Sequence, residues 1–145
     1  MVLLTGKTAF VSGGTRGIGL AIAERLARAG ADVMVSGSSQ SNCDAAVKTI
    51  TSNSSGRVEA YAADLRTLEG CQAVFDAQSK AFNSCDIFVH SAGATKGGVF
   101  PFQDDADFID GFALKFHAGV RLSRLFWPSL VAARGSLVMI VGGAS

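Results

Sequence analysis

Residues 8–19 read Thr-Ala-Phe-Val-Ser-Gly-Gly-Thr-Arg-Gly-Ile-Gly, an apolar run that breaks into glycines just before an amphipathic pattern begins. A strand, a tight turn and a helix in that order are how a parallel sheet exposes backbone N–H groups to an anion. The positive end of the helix dipole faces the same point. Each glycine has its own task in such a turn. Gly13 leads the chain out of the strand, Gly17 lets backbone approach a phosphate, and Gly19 lets helix and strand pack closely. Strand before and helix after make this a nucleotide-binding turn rather than a chance cluster of glycines.

The rest of the chain repeats the same alternation. Strands are expected at about 8–12, 32–36, 57–62, 86–91 and 136–141, and helices at about 17–29, 41–51, 67–82 and 104–133. In the first helix, Ile18, Ile22, Leu26 and Ala29 recur at helical spacing, and Gly30 ends it. The one long loop, 92–103, carries Gly93, Gly97, Gly98 and Pro101. Five strands alternating with helices imply an α/β fold, with a parallel sheet, right-handed crossovers and helices on both faces. No repeat or linker divides the 145 residues, so one domain is expected over 1–145.

Composition narrows the function classes. With 48% hydrophobic and 17% charged residues the chain is globular, and a net charge of +1 gives no footprint for nucleic acid or an acidic membrane. The apolar segment 108–131 is interrupted by Asp110, Lys115, His117, Arg121 and Arg124, which argues against a membrane span. Cys43, Cys71 and Cys85 are odd in number and far apart, as expected of reduced, half-buried thiols. The first residues lack a basic leader, and a cytoplasmic location is expected. No His, Cys, Asp or Glu cluster has metal-ligand spacing, so no metal is expected.

The spacing Ser-Gly-x-x-x-Gly-x-Gly resembles the cofactor loop of the short-chain dehydrogenase/reductase family. Three further matches follow in order. Asp64-Leu65 follows the third apolar run, where that family sets an Asp against the adenine ring. Asp86-Ile87-Phe88-Val89 leads into the fourth strand. His90-Ser91-Ala92-Gly93 then stands where the family usually has Asn-Asn-Ala-Gly. The resemblance implies a three-layer, doubly wound Rossmann-type sheet of order 3-2-1-4-5, truncated relative to the family, with a dinucleotide in the crevice where the order reverses. It also implies cofactor-binding roles for Gly13, Thr15, Arg16, Gly17, Ile18, Gly19, Ser38, Asp64, Leu65, Ser91, Ala92 and Gly93, and a small-molecule substrate.

NADP(H) is expected over NAD(H). Folds that select NAD usually end the second strand with an acid that bonds the ribose 2′-OH. Here Gly37 stands at that place, Asp32 is at the wrong end of the strand, and Ser38 and Ser39 follow. Arg16 lies inside the loop, where NADP-preferring relatives carry a basic residue.

The family's catalysts are a Tyr-x-x-x-Lys pair, a Ser and a helix Asn that holds a water. Counting back from Trp127-Pro128, the Asn position falls on Lys115. Gly142 stands at the Ser position, and Ser145 is a poor substitute. No Tyr-x-x-x-Lys occurs within the 145 residues, and Tyr61, the one tyrosine, belongs to the third strand as a half-buried residue. Catalytic residues are therefore unknown. His90 replaces a structural Asn, and His117 is expected to be packed or at an interface. Three readings stay open: an oxidoreductase transferring hydride between NADP(H) and a carbonyl or alcohol, a non-catalytic dinucleotide-binding module, and an inactive fragment. The long helix at 104–133 spreads Phe108, Phe112, Phe116, Val120, Leu125, Phe126 and Trp127 around its circumference, so homo-oligomers through it are expected.

Overall fold

The computed structural model describes residues 3–94 and 96–142. The chain runs β1 (Thr8–Ser12), α1 (Gly17–Arg28), β2 (Asp32–Gly37), α2 (Gln40–Thr51), β3 (Val58–Ala62), α3 (Leu68–Phe82), β4 (Ile87–His90), α4 (Asp105–Phe112), α5 (Ala118–Ala133) and β5 (Ser136–Met139). All strand pairs are parallel, in the order β3-β2-β1-β4-β5. The doubly wound sheet expected from the sequence is present, with β1 at its centre. Its registers bring Ser12 level with Ser36 on one side and with His90 on the other.

Period-two alternation on a sheet covered on both faces builds two separate cores. Phe10, Met34 and Phe88 point to the side of α3 and α5, where they meet Val74, Leu122 and Phe126. Ala9, Val11, Val33, Val35 and Val89 point to the side of α1 and α2, against Ala23, Ala27 and Ile50. The first core is built on aromatic rings. Phe126 lies 5.0 Å from Phe10 and 5.4 Å from Phe88 between centroids, and Phe75 closes on it edge-on at 5.2 Å.

Several local devices fix the strand and helix ends. Asp86, just before β4, accepts from the Thr8 N–H at 2.9 Å and from Lys7 Nζ at 3.0 Å, tying the starts of β1 and β4 together. Burial pushes the Asp86 carboxyl up, but the Thr8 N–H and Lys7 outweigh it and the net shift is downward. Ser39 caps α2 through the Asn42 N–H, and Thr67 caps α3 through the Gly70 N–H at 2.9 Å. The three cysteines are free and fully buried rather than half-buried, and burial pushes the Cys85 thiol up to about 12.

The structure departs from the sequence expectations in specific places. In α1 the buried stripe is Gly19, Ala23 and Ala27, while Ile18 is exposed. Small side chains let the helix lie close to the sheet, so the bulkier Ile22 and Leu26 flank that line of contact. The expected single helix at 104–133 is α4, one π-helical turn over Ala113–His117, and α5. In that turn the Ala118 N–H reaches the carbonyl of Ala113, five residues back. β5 stops at Met139, and Tyr61 and His117 are exposed rather than packed.

Truncating Phe126 removes the ring shared by the aromatic cluster. Phe126→Ala should lower unfolding free energy by about 3–5 kcal/mol. Urea denaturation followed by circular dichroism checks this; a loss below about 1 kcal/mol would mean the cluster is not a unit.

Candidate functional site

At the C-terminal ends of β1, β2 and β4 the sheet opens into a cleft of about 730 Å³. All twelve residues singled out from the sequence line it: Gly13, Thr15, Arg16, Gly17, Ile18, Gly19, Ser38, Asp64, Leu65, Ser91, Ala92 and Gly93. The β1–β4 boundary, where strand order reverses, lies at its floor.

The turn after β1 has backbone demands that glycine meets. Gly13 and Gly17 have φ of +66° and +55°, in the left-handed region. A Cβ on Gly13 would come within 2.7 Å of the Ala92 backbone, so the turn lies directly on the Ser91–Gly93 segment. A Cβ on Gly17 would meet nothing, because that face looks into open cleft. A Cβ on Gly19 would collide with the Gly13 carbonyl oxygen, which is the close approach expected of the third glycine. The first turn of α1 has no acidic residue and its Arg16 N-cap offers no side-chain bond, so its leading N–H groups are left for an anion.

One end of the cleft lies between β2 and β3. Thr15 sits over Gly37, where a Cβ would meet Thr15 Cγ2 at 2.6 Å, so Gly37 and Thr15 fit only as a pair and no carboxylate ends β2. Ser38 lines the cleft. Ser39 does not, because its hydroxyl caps α2. Asn42 and the buried Ser36 line it too, and Ser36 Oγ has no hydrogen-bond partner among the described residues. No sequence signal marked these two beyond their position after β2 and α2's start. Asp64 Oδ1 accepts from the Arg66 N–H at 3.0 Å, and the Arg66 guanidinium forks onto Asp110 at 2.6 and 3.2 Å. That pair straps α4 to the rim.

The opposite end, between β4 and β5, is formed by Gly93, Ala94, Leu114, Lys115, Ile140, Val141 and Gly142. Here His90 is fully buried and both ring nitrogens are engaged. Nε2 lies 3.0 Å from the Lys115 carbonyl, which can only accept, so Nε2 carries the proton. Nδ1 therefore accepts from the Ser12 hydroxyl at 2.7 Å. Ser12 Oγ in turn receives the Ser91 and Ala92 N–H groups at 3.2 and 3.3 Å. The Lys115 carbonyl belongs to the π-helical turn. Gly119 leaves room for the ring, since a Cβ there would come within 3.0 Å of His90 Cδ2. Gly142, at the position expected of a Ser, borders the cleft; Ser145 lies outside the described residues. Among the described residues no His, Cys, Asp and Glu group could hold a metal, and no helix is long and apolar enough to cross a membrane.

Burial pushes His90 below the ordinary histidine range, opposed by the carbonyls of Lys115 and Leu114 and reinforced by the Lys115 charge. A depressed folded pKa gives stability that is full above the unfolded value of about 6.5 and is lost as pH falls through the folded value. Unfolding free energy should therefore drop between about pH 7.5 and about pH 5, before carboxylates titrate. His90→Asn should flatten that slope; an equal slope in both proteins would remove His90 as its source.

Comparison with known proteins agrees with this geometry. The model of the short chain dehydrogenase family matches residues 7–145. A 3-oxoacyl-[acyl-carrier-protein] reductase of Vibrio cholerae is 31% identical over 139 residues, covering 96% of this chain and 55% of that protein. An uncharacterized oxidoreductase of Bacillus subtilis is 30% identical, covering 95% of this chain and 51% of its own length. Among solved structures, the L-sorbose reductase of Gluconobacter frateurii complexed with NADPH and L-sorbose superposes with a TM-score of 0.87 at 30% identity, covering 94% of this chain and 52% of that one. A metagenomic short-chain oxidoreductase in complex with NADP gives 0.88 at 31%, covering 97% and 64%. The chain thus spans about half the length of the curated relatives it matches. It belongs to the short-chain dehydrogenase family of NAD(P)-dependent oxidoreductases.

Proposed function

We propose that these 145 residues act as one dinucleotide-binding unit that holds NADP(H) in preference to NAD(H), for hydride exchange with a carbonyl or alcohol substrate. The observation that carries this reading is the convergence of twelve sequence-marked residues on one cleft, with the uncapped start of α1 among them. The residues present fit the cofactor: two left-handed glycines, a Gly19 cradle that a Cβ would fill, and an orphaned buried hydroxyl on Ser36. When bound, the nicotinamide supplies the hydride.

Each residue then has a binding or orienting task. The first N–H groups of α1 receive the pyrophosphate. Asp64 and Leu65 flank the adenine, and Ser91, Ala92 and Gly93 support the other half. Arg16 is exposed and forms no ion pair among the described residues, so its guanidinium is available to a 2′-phosphate. The absence of a carboxylate at Gly37 removes the group that would repel that phosphate.

A second reading, binding without turnover, has its own observation. Among the described residues Asp64 is the one carboxylic acid on the cleft wall, Tyr61 is not on it, and His90 spends both nitrogens on structure. The described residues bind and orient; none is set to protonate a carbonyl. Whichever reading applies, cofactor binding is common to both.

Arg16→Ala should weaken NADPH about tenfold or more while changing NADH less than about threefold, since a charge-assisted bond contributes about 1.5–3 kcal/mol. Gly17→Val, strained at positive φ and projecting into the cleft, should abolish both. Isothermal titration calorimetry checks this; equal losses for the two cofactors in Arg16→Ala would refute the 2′-phosphate contact.

We further propose self-association through α4 and α5. Phe112, Phe116, Val120, Trp127 and Val131 are exposed along one side, whereas Leu125 and Phe126 turn inward to the core. A stripe this apolar is rarely left to water. Light scattering on the 145-residue chain should show dimers or larger species, and Trp127→Glu should reduce them; a monomer at high concentration would exclude the interface.

A further inference from the structure

At the β4–β5 end of the cleft stands a second cation without a partner. Lys115 is half-buried, and its Nζ takes part in no ion pair among the described residues. Its backbone is pinned, because the π-helical turn presents its carbonyl to His90 Nε2 at 3.0 Å. Its stem lies along Gly93: a Cβ on that glycine would sit 3.5 Å from Lys115 Cδ and 3.6 Å from Cγ. The ammonium therefore emerges beyond Gly93, above the segment Ser91–Gly93.

The surroundings leave that charge for a ligand. Leu114, Ile140 and Val141 form the neighbouring wall, and the one acid lining the cleft, Asp64, is at the other end and shared with Arg66. Burial disfavours the charged form of His90, and the Ser12 hydroxyl donating to Nδ1 needs the neutral ring, so it neither repels nor replaces the lysine. Arg16, within the glycine turn, and Lys115, beside Gly93, thus stand as two cations of the cleft without an ion-pair partner among the described residues.

We infer that Lys115 binds the non-adenylate half of the dinucleotide, donating from Nζ to oxygens of its ribose or its phosphate. This rests on the dinucleotide reading above. A ligand laid on Ser91–Gly93 passes beside the ammonium, because the lysine stem leans on that same segment. Gly93 is part of the arrangement: the stem lies within van der Waals reach of any Cβ placed there. The oxygen acceptors belong to the cofactor rather than to a substrate seated farther out.

Three ligands separate the sources in calorimetric titrations: NADPH, 2′-phospho-ADP-ribose, which lacks only the nicotinamide ring, and adenosine 2′,5′-bisphosphate, which lacks the whole second half. Lys115→Met keeps the stem and removes the charge. It should weaken NADPH and 2′-phospho-ADP-ribose about tenfold each and leave adenosine 2′,5′-bisphosphate within about twofold. Lys115→Arg should restore most of the loss, and unchanged thermal unfolding of Lys115→Met shows that the fold is retained. No loss for NADPH, equal loss for all three ligands, or loss for NADPH alone would each overturn the inference. Failure of adenosine 2′,5′-bisphosphate to bind the parent chain would instead strike the dinucleotide reading, and this inference with it.

Discussion

The hydrogen bond from Ser12 to His90 joins the two halves of the sheet at the edge where the cleft begins. β1 continues through β2 to β3 on one side and through β4 to β5 on the other, so a ligand laid across the boundary depends on their relative height. Ser12 sets that height in two ways. Its hydroxyl hydrogen goes to Nδ1, and its oxygen collects the Ser91 and Ala92 N–H groups. Both partners are buried, where such bonds resist exchange with water and an unmet donor is costly. The Gly13 turn then rests on Ala92, and the phosphate-binding loop inherits its position from the same contact.

Charge in the cleft is more uneven than the net value of +1 suggests. Arg16, Arg66 and Lys115 line it, opposed by Asp64 alone. Arg66 is spent on Asp110 and Asp64, and those bonds raise its already high pKa. Its work is mechanical: it holds α4 against the rim, while Arg121 donates to its carbonyl at 2.8 Å. The two cations left unpaired are those set apart along the cleft. A nearly neutral chain can therefore offer a local positive field without the general basicity of a nucleic-acid binder.

Much of this is legible in the sequence. Strand positions follow from short continuous apolar runs, because every strand but the edge ones is covered on both faces. The glycine turn was readable because its backbone angles and its contact with Ala92 exclude other residues at Gly13. Sequence reasoning failed where distant contacts decide the outcome. Ile18 carries the larger apolar side chain, yet closeness to the sheet puts the smaller Ala23 inward and leaves Ile18 exposed. Ser36 and Asn42 have no spacing signature, and they reach the cleft only because β2 ends and α2 begins there. Ser39 follows Ser38 in the sequence, yet only Ser38 lines the cleft, because the Ser39 hydroxyl caps α2.

The π-helical turn is the clearest case of structure without a local signal. Nothing in Ala113–His117 forbids a continuous α-helix, and an α-helix would have closed its carbonyls onto its own N–H groups. Widening the turn frees the Lys115 carbonyl, and the buried imidazole at the end of β4, 25 residues earlier in the chain, donates to it. That donor is larger than the Asn usual in this family, so its ring needs space where α5 passes. Gly119 supplies the space, because a side chain there would press on the ring and on Met139. His90, Gly119 and the widened turn thus meet at one contact. That contact fixes the backbone of Lys115, whose stem then runs beside Gly93 along the cleft.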